Sequence, residues 1–566
     1  MSMLSYAFEG STTPFIAKTI GDVLDEAAEK YSNNDCLISL HQNIKMNYRE
    51  FKEEVDRLAK GLLALGIKKG DKVAIWSTNN VEWVLTQFAT AKIGAVLVTV
   101  NPAYRTNELE YALKQSEVNT LILIENFKTS DYIDMFYKVA PFARGAIPGQ
   151  IHSNKLPHLR NVICISDTKH TGMFKWKDVL DMASRVDDSE LRDRQKSLDF
   201  DDAINIQYTS GTTGFPKAAT LSHFNILNNG FFVGEMMKFT DKDRLCIPVP
   251  FYHCFGMVMS NLTCVTHGAT MVLPSEYFNP LAVLKAVEQE KCTALHGVPT
   301  MFIAELEHPD FKKFDLSTLR TGIMAGSPCP VEVMKRVNTE MHMSQVEIAY
   351  GQTEASPVIT QTPADDTLEH RTETVGRPLP YVEVKIIDPE TGKILPVGEQ
   401  GELCARGYNV MKYYYNNPKA TAEAIDEDGW LHTGDLATMT EDGYFKITGR
   451  IKDMIIRGGQ NIYPREIEEF LYTHPKVADV QVIGVPDRKY GEEVCAWIRL
   501  KEGETATEEE IKEYCQGRIA HYKIPKYIKF TDSFPMTVTG KIRKVEMREI
   551  SIKELGLEDV AKIETA

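Results

Sequence analysis

The chain has 566 residues, of which 43% are hydrophobic and 25% charged. Both fractions are close to those of globular proteins, which excludes wholesale disorder and fibrous structure. The formal net charge is −15. An acidic surface repels phosphate backbones, so nucleic acid is not expected to be the main partner. A chain of this length is expected to form about three or four domains.

Cysteine usage and hydropathy predict a soluble intracellular protein. The ten cysteines include no CxxC pair, which favours reduced thiols over a disulfide framework. The most hydrophobic stretch, 81–100, contains Glu82 and Lys92 and is not expected to cross a bilayer. The first residues show neither a signal peptide nor an Arg-rich transit pattern. We expect a cytoplasmic location, with the mitochondrial matrix as the alternative; monomer and homo-oligomer both stay open.

The first part of the chain alternates strand-like and helix-like patterns. After the apolar run 72–76, Asn80 can cap a helix that continues to Lys92 and that Gly94 stops. The remaining predicted elements are a strand at 95–100, a helix from Thr106 or Asn107, a strand at 120–124, and loops at 143–155 and 168–171. Strand–helix–strand repetition predicts parallel sheets with covering helices.

A domain boundary is predicted near residues 449–453. Before it, 442–444 (Asp-Gly-Tyr) is typical of a hairpin turn that feeds a strand. After it, Pro464 suits the first turn of a helix, and Thr507 with Glu510 forms a capping-box pattern for a helix to about Ala520. We therefore expect an N-terminal body at 1–450 and a separate α+β domain at 453–566.

The segment 208–217 (Tyr-Thr-Ser-Gly-Thr-Thr-Gly-Phe-Pro-Lys) has the composition of a phosphate-binding loop. Glycine lets a backbone approach a ligand closely, while the hydroxyls, the amide N–H groups and Lys217 attract anionic oxygens. It is not a Walker A loop, because Pro216 precedes the lysine and Ala218 follows it. A polar loop without a ligand is the alternative interpretation.

This segment strongly resembles the signature loop of the adenylate-forming superfamily, which includes acyl-CoA synthetases, firefly luciferase and peptide-synthetase adenylation domains. Further segments typical of that superfamily follow in order: 250–256 (PFYHCFG), 326–330 (GSPCP), 349–354 (AYGQTE), 430–435 (WLHTGD), 449–455 (GRIKDMI), 458–464 (GGQNIYP) and 539–541 (TGK). Within it, 453–459 (DMIIRGG) and 521–526 (HYKIPK) are most similar to medium-chain acyl-CoA synthetases of the family member 2 type. The implied fold is a large α/β body of mixed and parallel sheets flanked by helices, plus a small mobile C-terminal α+β domain.

The resemblance implies an ATP-dependent ligase that activates a medium-chain fatty acid to an acyl-adenylate and then transfers the acyl group to coenzyme A. Fatty acid, ATP, Mg²⁺ and coenzyme A are the expected small-molecule partners, and AMP and pyrophosphate the expected by-products. The residues expected to bind the nucleotide are Thr209, Ser210, Gly211, Thr212, Thr213, Gly214, Phe215, Pro216, Lys217, Gly326, Ser327 and Gln352.

The segment 349–354 carries groups that suit a nucleotide and its metal. Tyr350 offers an aromatic face to adenine, and Gly351 lets the backbone approach. Thr353 can donate to the α-phosphate, and Glu354 is a hard oxygen ligand for Mg²⁺. By resemblance alone, Asp435 is expected to accept from the ribose hydroxyls with help from Arg450.

The tail domain is expected to contribute to both reaction steps. The resemblance implies that Lys541 bridges the substrate carboxylate and the α-phosphate, where a cation stabilises the approach of two anions. It also implies a hinge at Lys452, whose rotation withdraws Lys541 and brings Gly458 and Gly459 against the pantetheine arm of coenzyme A. His253 is expected at the mouth of the acyl channel, and a packed histidine is an equal alternative.

The acyl pocket is expected to be open and apolar. The five tryptophans, at 76, 83, 176, 430 and 497, do not fall in the segment where acetyl-type synthetases close their pocket. Residues near Phe251, Val298, Gly326 and 355–358 are expected to line it. The alternatives are a ligase for aryl or carrier-bound acids, a luciferase-like oxygen-using enzyme, and a nucleotide-binding homologue without turnover.

Overall fold

The structure is a computed structural model that describes residues 3–209, 216–458, 460–516, 518–537 and 540–561, with Asn461 described by its backbone alone. Three large sheets lie in the part of the chain before residue 451, and a fourth forms in the tail. This arrangement of mixed sheets with helices and a C-terminal α+β domain confirms the predicted fold class.

The first central sheet has eight strands and contains the predicted strand–helix–strand units. Its pairings are parallel except at one edge, where the last two strands are antiparallel. In spatial order the strands are Phe174–Lys175, Asn161–Cys164, Thr120–Leu123, Lys72–Trp76, Val96–Val100, Ala203–Thr209, Lys217–Ser222 and Tyr413–Tyr414. A two-stranded ribbon, Asn126–Phe127 with Ser130–Asp131, follows the third of these strands.

The predicted helix after the strand Lys72–Trp76 is confirmed, including both of its ends. The helix spans Val81–Ile93, and the Asn80 side chain accepts a hydrogen bond from the backbone N–H of Trp83. Gly94 ends the helix in the left-handed conformation, at φ 71°, which glycine adopts without a Cβ clash. Nearly every residue of this helix is buried, so it lies between layers rather than on the surface.

The second central sheet has nine strands, with a parallel centre and antiparallel edges. In spatial order they are Arg377–Pro378, Val358–Gln361, Gln345–Gly351, Thr321–Ala325, Ala294–Leu295, Arg244–Cys246, Thr270–Leu273, Asp35–Ser39 and Ile44–Asn47. One hydrophobic core, which includes Trp83, Phe251 and Ile323, extends across both central sheets and the helices between them.

The third sheet is antiparallel and brings the last strand of the body beside the segment that carries Asp435. Its strands are Tyr6–Phe8, Val382–Ile387, Gly401–Gly407, Leu431–Met439 and Phe445–Arg450. The predicted hairpin turn is confirmed between the last two strands, where Gly443 has φ 86°. In the register of this hairpin, Asp435 lies opposite Arg450.

Many helices accompany the central sheets of the body. The α-helices of the body that the structure describes are Ile20–Lys30, Tyr48–Ala64, Val81–Ile93, Thr106–Gln115, Tyr132–Val139, Trp176–Asp181, Asp188–Lys196, His223–Met236, Cys254–Gly256, Thr263–His267, Pro280–Glu290, Pro299–Leu306, Val331–Glu340, Leu368–Glu373 and Pro418–Ala424. Within this range Met257–Leu262 is a π-helix, and Pro141–Gly145, Met182–Arg185, Phe311–Lys313 and Thr353–Ala355 are 3₁₀ turns.

The tail has its own sheet and its own buried cores on the two faces of that sheet. The strands are Gln460–Ile462, Ile455–Arg457, Gly491–Leu500 and Val477–Asp487 in spatial order, with Tyr527–Phe530 parallel to Gly491–Leu500. Its helices are Pro464–Tyr472, Glu508–Cys515, Lys544–Glu554 and Glu558–Ala561, with 3₁₀ turns at Ile451–Asp453 and His521–Lys523.

One predicted helix end in the tail is wrong. Thr507 caps the helix by accepting from the backbone N–H of Glu510, as the sequence predicts, but the helix ends at Cys515 and not near Ala520. Gln516 has extended backbone angles, φ −60° and ψ 131°, so the helical backbone conformation ends there.

All ten cysteines lie in the described part of the chain, and each is buried with a free thiol. Among the described residues, no helix combines the length and the apolar character that a membrane crossing needs.

Candidate active site

The phosphate-loop segment connects two antiparallel strands of the first central sheet. Thr209 ends one strand, Lys217 begins the next, and the two residues are paired in register. Residues 210–215 (Ser210, Gly211, Thr212, Thr213, Gly214 and Phe215) lie outside the described residues. Ala218 is buried and pairs with Tyr208 across the hairpin, so its methyl group occupies an ordinary strand position.

A tight turn after the strand Gln345–Gly351 places Thr353 and Glu354. A Cβ atom on Gly351 would lie 1.8 Å from the carbonyl oxygen of Pro357, so only glycine fits at this position. The backbone N–H of Gln352 donates to that same carbonyl at 2.9 Å. Thr353 is 7% exposed, whereas Glu354 is partly exposed. The glycine therefore folds the chain back and leaves the carboxylate at the edge of the sheet.

The Tyr414 side chain contacts both Lys217, a predicted phosphate-binding residue, and Glu354, the predicted metal ligand. Its hydroxyl donates to Oε1 of Glu354 at 2.6 Å. The Nζ atom of Lys217 lies 5.1 Å from the centroid of the same ring, within the range of a cation–π contact. Lys217 and Glu354 thus lie on two sides of one aromatic side chain, which the sequence interpretation did not single out.

Asp435 is held by Arg450, as the resemblance implies, and also by Tyr350. The Tyr350 hydroxyl donates to Oδ2 of Asp435 at 2.7 Å, and Nε of Arg450 donates to Oδ1 at 3.1 Å. Burial raises the pKa of the Asp435 carboxyl, while Arg450 and the Tyr350 hydroxyl act in the opposite direction. The result is a buried, oriented acceptor beside an aromatic ring, which is the arrangement that a ribose and an adenine need.

Lys541 of the tail reaches into the same region of the body. Its Nζ atom lies 3.4 Å from Nε2 of His253. A Cβ atom on Gly326, which has φ 91°, would lie 3.7 Å from Cε of Lys541, and Ser327 follows that glycine as a partly buried residue. The structure therefore brings together the segments 250–256, 326–330 and 539–541, which are far apart in the sequence.

The electrostatic surroundings of Lys541 are those of an enclosed site. Burial, and after it the charge of Arg450, lower the pKa of Lys541 from its usual 10.5 to about 8. The carboxylates of Glu354 and Asp435 oppose this shift, so both lie within electrostatic range of the ammonium. Burial and Lys541 lower the pKa of His253 to about 3, which keeps that imidazole neutral at pH 7.

The loop that carries Lys541 packs closely against the body. Gly540 has φ 78°, and a Cβ there would lie 2.8 Å from Oγ1 of Thr300. An ion pair between Arg499 and Glu307, at 3.3 Å, adds a second contact between tail and body. Lys541 therefore enters the body in one defined orientation of the tail relative to the body.

This geometry agrees with two family models that together cover most of the chain. The model of the AMP-binding enzyme matches residues 24–415, and the model of the AMP-binding enzyme C-terminal domain matches residues 466–541. The chain belongs to the AMP-binding, adenylate-forming enzyme family.

The chain is similar to acyl-CoA synthetases along nearly its whole length. It is 56% identical over 542 residues to a Bacillus subtilis protein named acyl-CoA synthetase YngI, covering 96% of this chain and 98% of that one. It is 45% identical over 560 residues to the human mitochondrial medium-chain acyl-CoA ligase ACSF2, covering 98% and 91%. These relatives identify an acyl-CoA synthetase. Because one is bacterial and the other mitochondrial, the cytoplasmic location stays a prediction.

Solved structures of the family share the fold. ATP-bound MatB from Rhodopseudomonas palustris is 28% identical with a TM-score of 0.80, over 94% of this chain and 99% of that one. The anthranilate CoA ligase AuaEII in complex with anthranoyl-AMP is 25% identical with a TM-score of 0.82, over 96% and 99%.

The structure describes the predicted hinge residue and one of the two glycines expected at coenzyme A. Lys452 is exposed, in the 3₁₀ turn Ile451–Asp453 that joins the body to the tail. Gly458 has φ 56°, and its N–H donates to the carbonyl of Tyr490 at 2.8 Å. Gly459 lies outside the described residues. The roles of Lys452 and Gly458 stay predictions.

Sequence reasoning also missed the carboxylate that holds the turn before Asp435. Oε1 of Glu402 accepts from the backbone N–H of Gly434 at 3.0 Å, and Oε2 lies 3.0 Å from Nδ1 of His432. Glu402 is 8% exposed and comes from the neighbouring strand. Its strand, Gly401–Gly407, also contains Arg406, so the charge of Glu402 gave no distinctive signal in the sequence.

Proposed function

We propose that the protein is an ATP-dependent ligase that activates a medium-chain fatty acid to its acyl-adenylate and then transfers the acyl group to coenzyme A. The insertion of Lys541 among His253, Gly326, Glu354 and Asp435 is the observation that carries this proposal. A cation at that point lies between the apolar segment near Val298 and the residues expected to hold the nucleotide.

In the first step, a carboxylate oxygen of the acid attacks the α-phosphorus of ATP, and pyrophosphate leaves. The acid is already ionised at pH 7, so no general base is needed. The ammonium of Lys541 donates to the two anions as they approach, and Thr353 donates to the α-phosphate. Preorganised donors of this kind typically account for about 3–4 kcal/mol of barrier each.

The residues around Glu354 fit a bound Mg²⁺. The donor set consists of the hard oxygens of the Glu354 carboxylate and the Thr353 hydroxyl, which Mg²⁺ prefers, and the Tyr414 hydroxyl orients the carboxylate from Oε1. When bound, the ion would neutralise phosphate charge during pyrophosphate release. Glu354 is the residue proposed to hold it.

In the second step, the sulfur of coenzyme A attacks the acyl carbonyl, AMP leaves and the thiol proton is released. Lys541 occupies the space near Gly326 in the present orientation, so we propose that the tail, 453–566, turns relative to the body, 1–450, about Lys452. The rotation would withdraw the lysine and bring Gly458 and Gly459 to the pantetheine arm.

The acyl chain is proposed to lie against the core residues near the tip of Lys541. Phe251, Val298, Ala355 and Val358 all belong to one apolar core, and Cγ1 of Val298 would lie 3.2 Å from a Cβ on Gly326. Each buried CH₂ group adds about 0.8 kcal/mol, which favours longer acids until the pocket ends. The medium-chain preference itself rests on the similarity to the ACSF2 ligases.

The test is a substrate panel with the full-length enzyme, ATP and Mg²⁺. AMP and thioester are measured separately for short, medium and long saturated acids and for benzoic and anthranilic acids, with and without coenzyme A. We expect the highest kcat/KM for medium-chain acids and thioester formation only with coenzyme A. A preference for the aryl acids would replace the acyl specificity, and ATP binding without AMP release would overturn the proposal.

A further inference from the structure

A cluster of three potential metal ligands lies at one edge of the first central sheet, in a part of the body that the proposed reaction does not use. The strands Thr120–Leu123 and Asn161–Cys164 are parallel neighbours, with Leu123 paired with Cys164. Their carboxyl ends therefore meet at the same edge, where α/β proteins commonly bind ligands. Glu125 follows the first strand by two residues, and His170 lies in the loop after the second.

The side chains of Glu125, Cys164 and His170 converge at this edge. Each offers one ligand atom, a carboxylate oxygen, Sγ and a ring nitrogen, and these atoms all lie within 4.8 Å of one another. Nε2 of His170 lies 2.8 Å from Oε1 of Glu125. The Ser166 hydroxyl donates to the same oxygen at 2.7 Å, as outer-shell groups do when they orient a ligating carboxylate.

An adjacent cavity supplies room for a further ligand. Glu125 and His170 line a surface cavity of about 420 Å³, while Cys164, 1% exposed, closes the inner side of the cluster. Asp131 adds a second carboxylate to the cavity wall. Lys128 also lines the cavity, but its ammonium lies over the ring of Tyr277, 5.1 Å from the centroid.

We propose that Glu125, Cys164 and His170 form a binding site for a divalent transition-metal ion, with Zn²⁺ as the ion that fits. One thiolate, one imidazole and one carboxylate form a borderline-soft donor set that suits Zn²⁺ and not Mg²⁺ or Ca²⁺. The two anionic ligands neutralise the charge of the ion, and a water molecule from the cavity completes a tetrahedral shell.

Binding is coupled to proton release. Burial raises the pKa of the Cys164 thiol to about 12, so the sulfur carries its proton at pH 7. The metal forms a bond to sulfur as the S–H bond breaks, and the proton passes to the buffer. No redox change occurs.

A second cluster with the same residue types serves as the internal comparison. Glu402, Cys404 and His432 also bring their ligand atoms within 4.8 Å. Both carboxylate oxygens of Glu402 are engaged, one by the Gly434 amide and one by His432. That cluster is explained as a hydrogen-bond network that holds the turn before Asp435.

The test is a Co²⁺ titration of the purified full-length protein after chelator treatment, followed by displacement with Zn²⁺. We expect one Co²⁺ per chain, with a thiolate-to-cobalt absorption band that Zn²⁺ abolishes. Cys164→Ser should remove the band, and Cys404→Ser should keep it. His170→Ala, in a surface loop and so least disruptive to folding, should weaken Co²⁺ binding by about tenfold or more.

The outcomes separate clearly. A wild-type protein without the band overturns the site. A band that survives in both Cys164→Ser and His170→Ala also overturns it, and one lost only in Cys404→Ser transfers the metal to the second cluster. If Cys164→Ser does not fold, a calorimetric Zn²⁺ titration of His170→Ala tests the proposed site instead.

Discussion

The Nζ atom of Lys541 lies 3.4 Å from Nε2 of His253, although 288 positions separate the two residues in the chain. The contact joins a loop of the tail to the start of the short helix Cys254–Gly256 in the body. Gly540 of this loop packs against Thr300 without room for a side chain. The loop therefore directs the side chain of Lys541 into the body.

Replacement of Lys541 by alanine should separate the two half-reactions. Adenylate formation is expected to fall by roughly 100- to 1,000-fold, because a preorganised donor to the reacting anions is lost. Conversion of synthetic acyl-adenylate and coenzyme A to thioester should persist, since the proposed rotation of the tail withdraws the lysine in that step. The measurement is pyrophosphate release for the first reaction and thioester formation for the second.

The control for that experiment is Lys553→Ala, which removes an exposed lysine from the same domain and should leave both reactions unchanged. Equal loss of both half-reactions in Lys541→Ala would remove the role assigned to the lysine.

The pKa of Lys541 predicts an alkaline limit for adenylate formation. Because burial lowers this pKa from 10.5 to about 8, the ammonium is fully present well below pH 8 and is lost as the pH rises through that value. The kcat/KM for adenylation, which reports the free enzyme, should therefore fall above about pH 8. In Lys541→Arg the guanidinium stays charged, so the alkaline decline should disappear even if the rate is lower. An unchanged profile in this variant would assign the limit to another group.

Local backbone chemistry explains which elements could be predicted from the sequence. Asn80 and Gly94 fix the two ends of one helix through a side-chain cap and a left-handed backbone, and Gly443 fixes a hairpin. These are interactions between residues close in the chain. The predicted helix after Thr507 is too long because the prediction extends it past Gly517, a residue that favours helix ends; the extended backbone of Gln516 already ends it.

The site was predictable only in part, for a related reason. Tyr350, Glu354 and Asp435 stand in recognisable segments, and the approach of Lys541 to them followed from family resemblance and not from spacing. Tyr414 and Glu402 come from strands that carry no such segment, and each acts through a partner distant in the sequence. Contacts of this kind depend on strand order in the sheets, which a single sequence does not specify.

Glu402 is expected to position Asp435 without contacting the nucleotide. Glu402→Ala leaves the partly buried Gly434 amide without its protein acceptor, which typically costs about 1 kcal/mol, so the KM for ATP should rise several-fold with a smaller change in kcat. Glu402→Gln keeps an acceptor for the amide and should recover much of the loss.

Hydrogen bonds to Cys404 and Glu402 raise the pKa of His432 to about 10. In Glu402→Ala that pKa should fall, which adds a pH dependence to the KM for ATP. Glu399→Ala, at an exposed position of the same segment, is the control, and a change in kcat alone would contradict a positioning role.

Glu347 is expected to destabilise the body at alkaline pH. This glutamate is fully buried, accepts from Gln361 at 2.8 Å, and burial raises its pKa from 4.5 to about 8. The folded state therefore holds a proton that the unfolded state releases above about pH 4.5, and the stabilisation is lost as the pH rises through 8. Each pKa unit corresponds to about 1.4 kcal/mol, so the loss in the free energy of unfolding reaches a few kcal/mol.

Glutamine imitates the protonated carboxyl of Glu347. The Glu347→Gln protein should therefore melt at a higher temperature than the wild type at pH 8.5 and at nearly the same temperature at pH 5. Glu441→Gln, an exposed substitution, should show no such divergence in differential scanning calorimetry. A constant offset at both pH values would mean that Glu347 stays ionised in the fold.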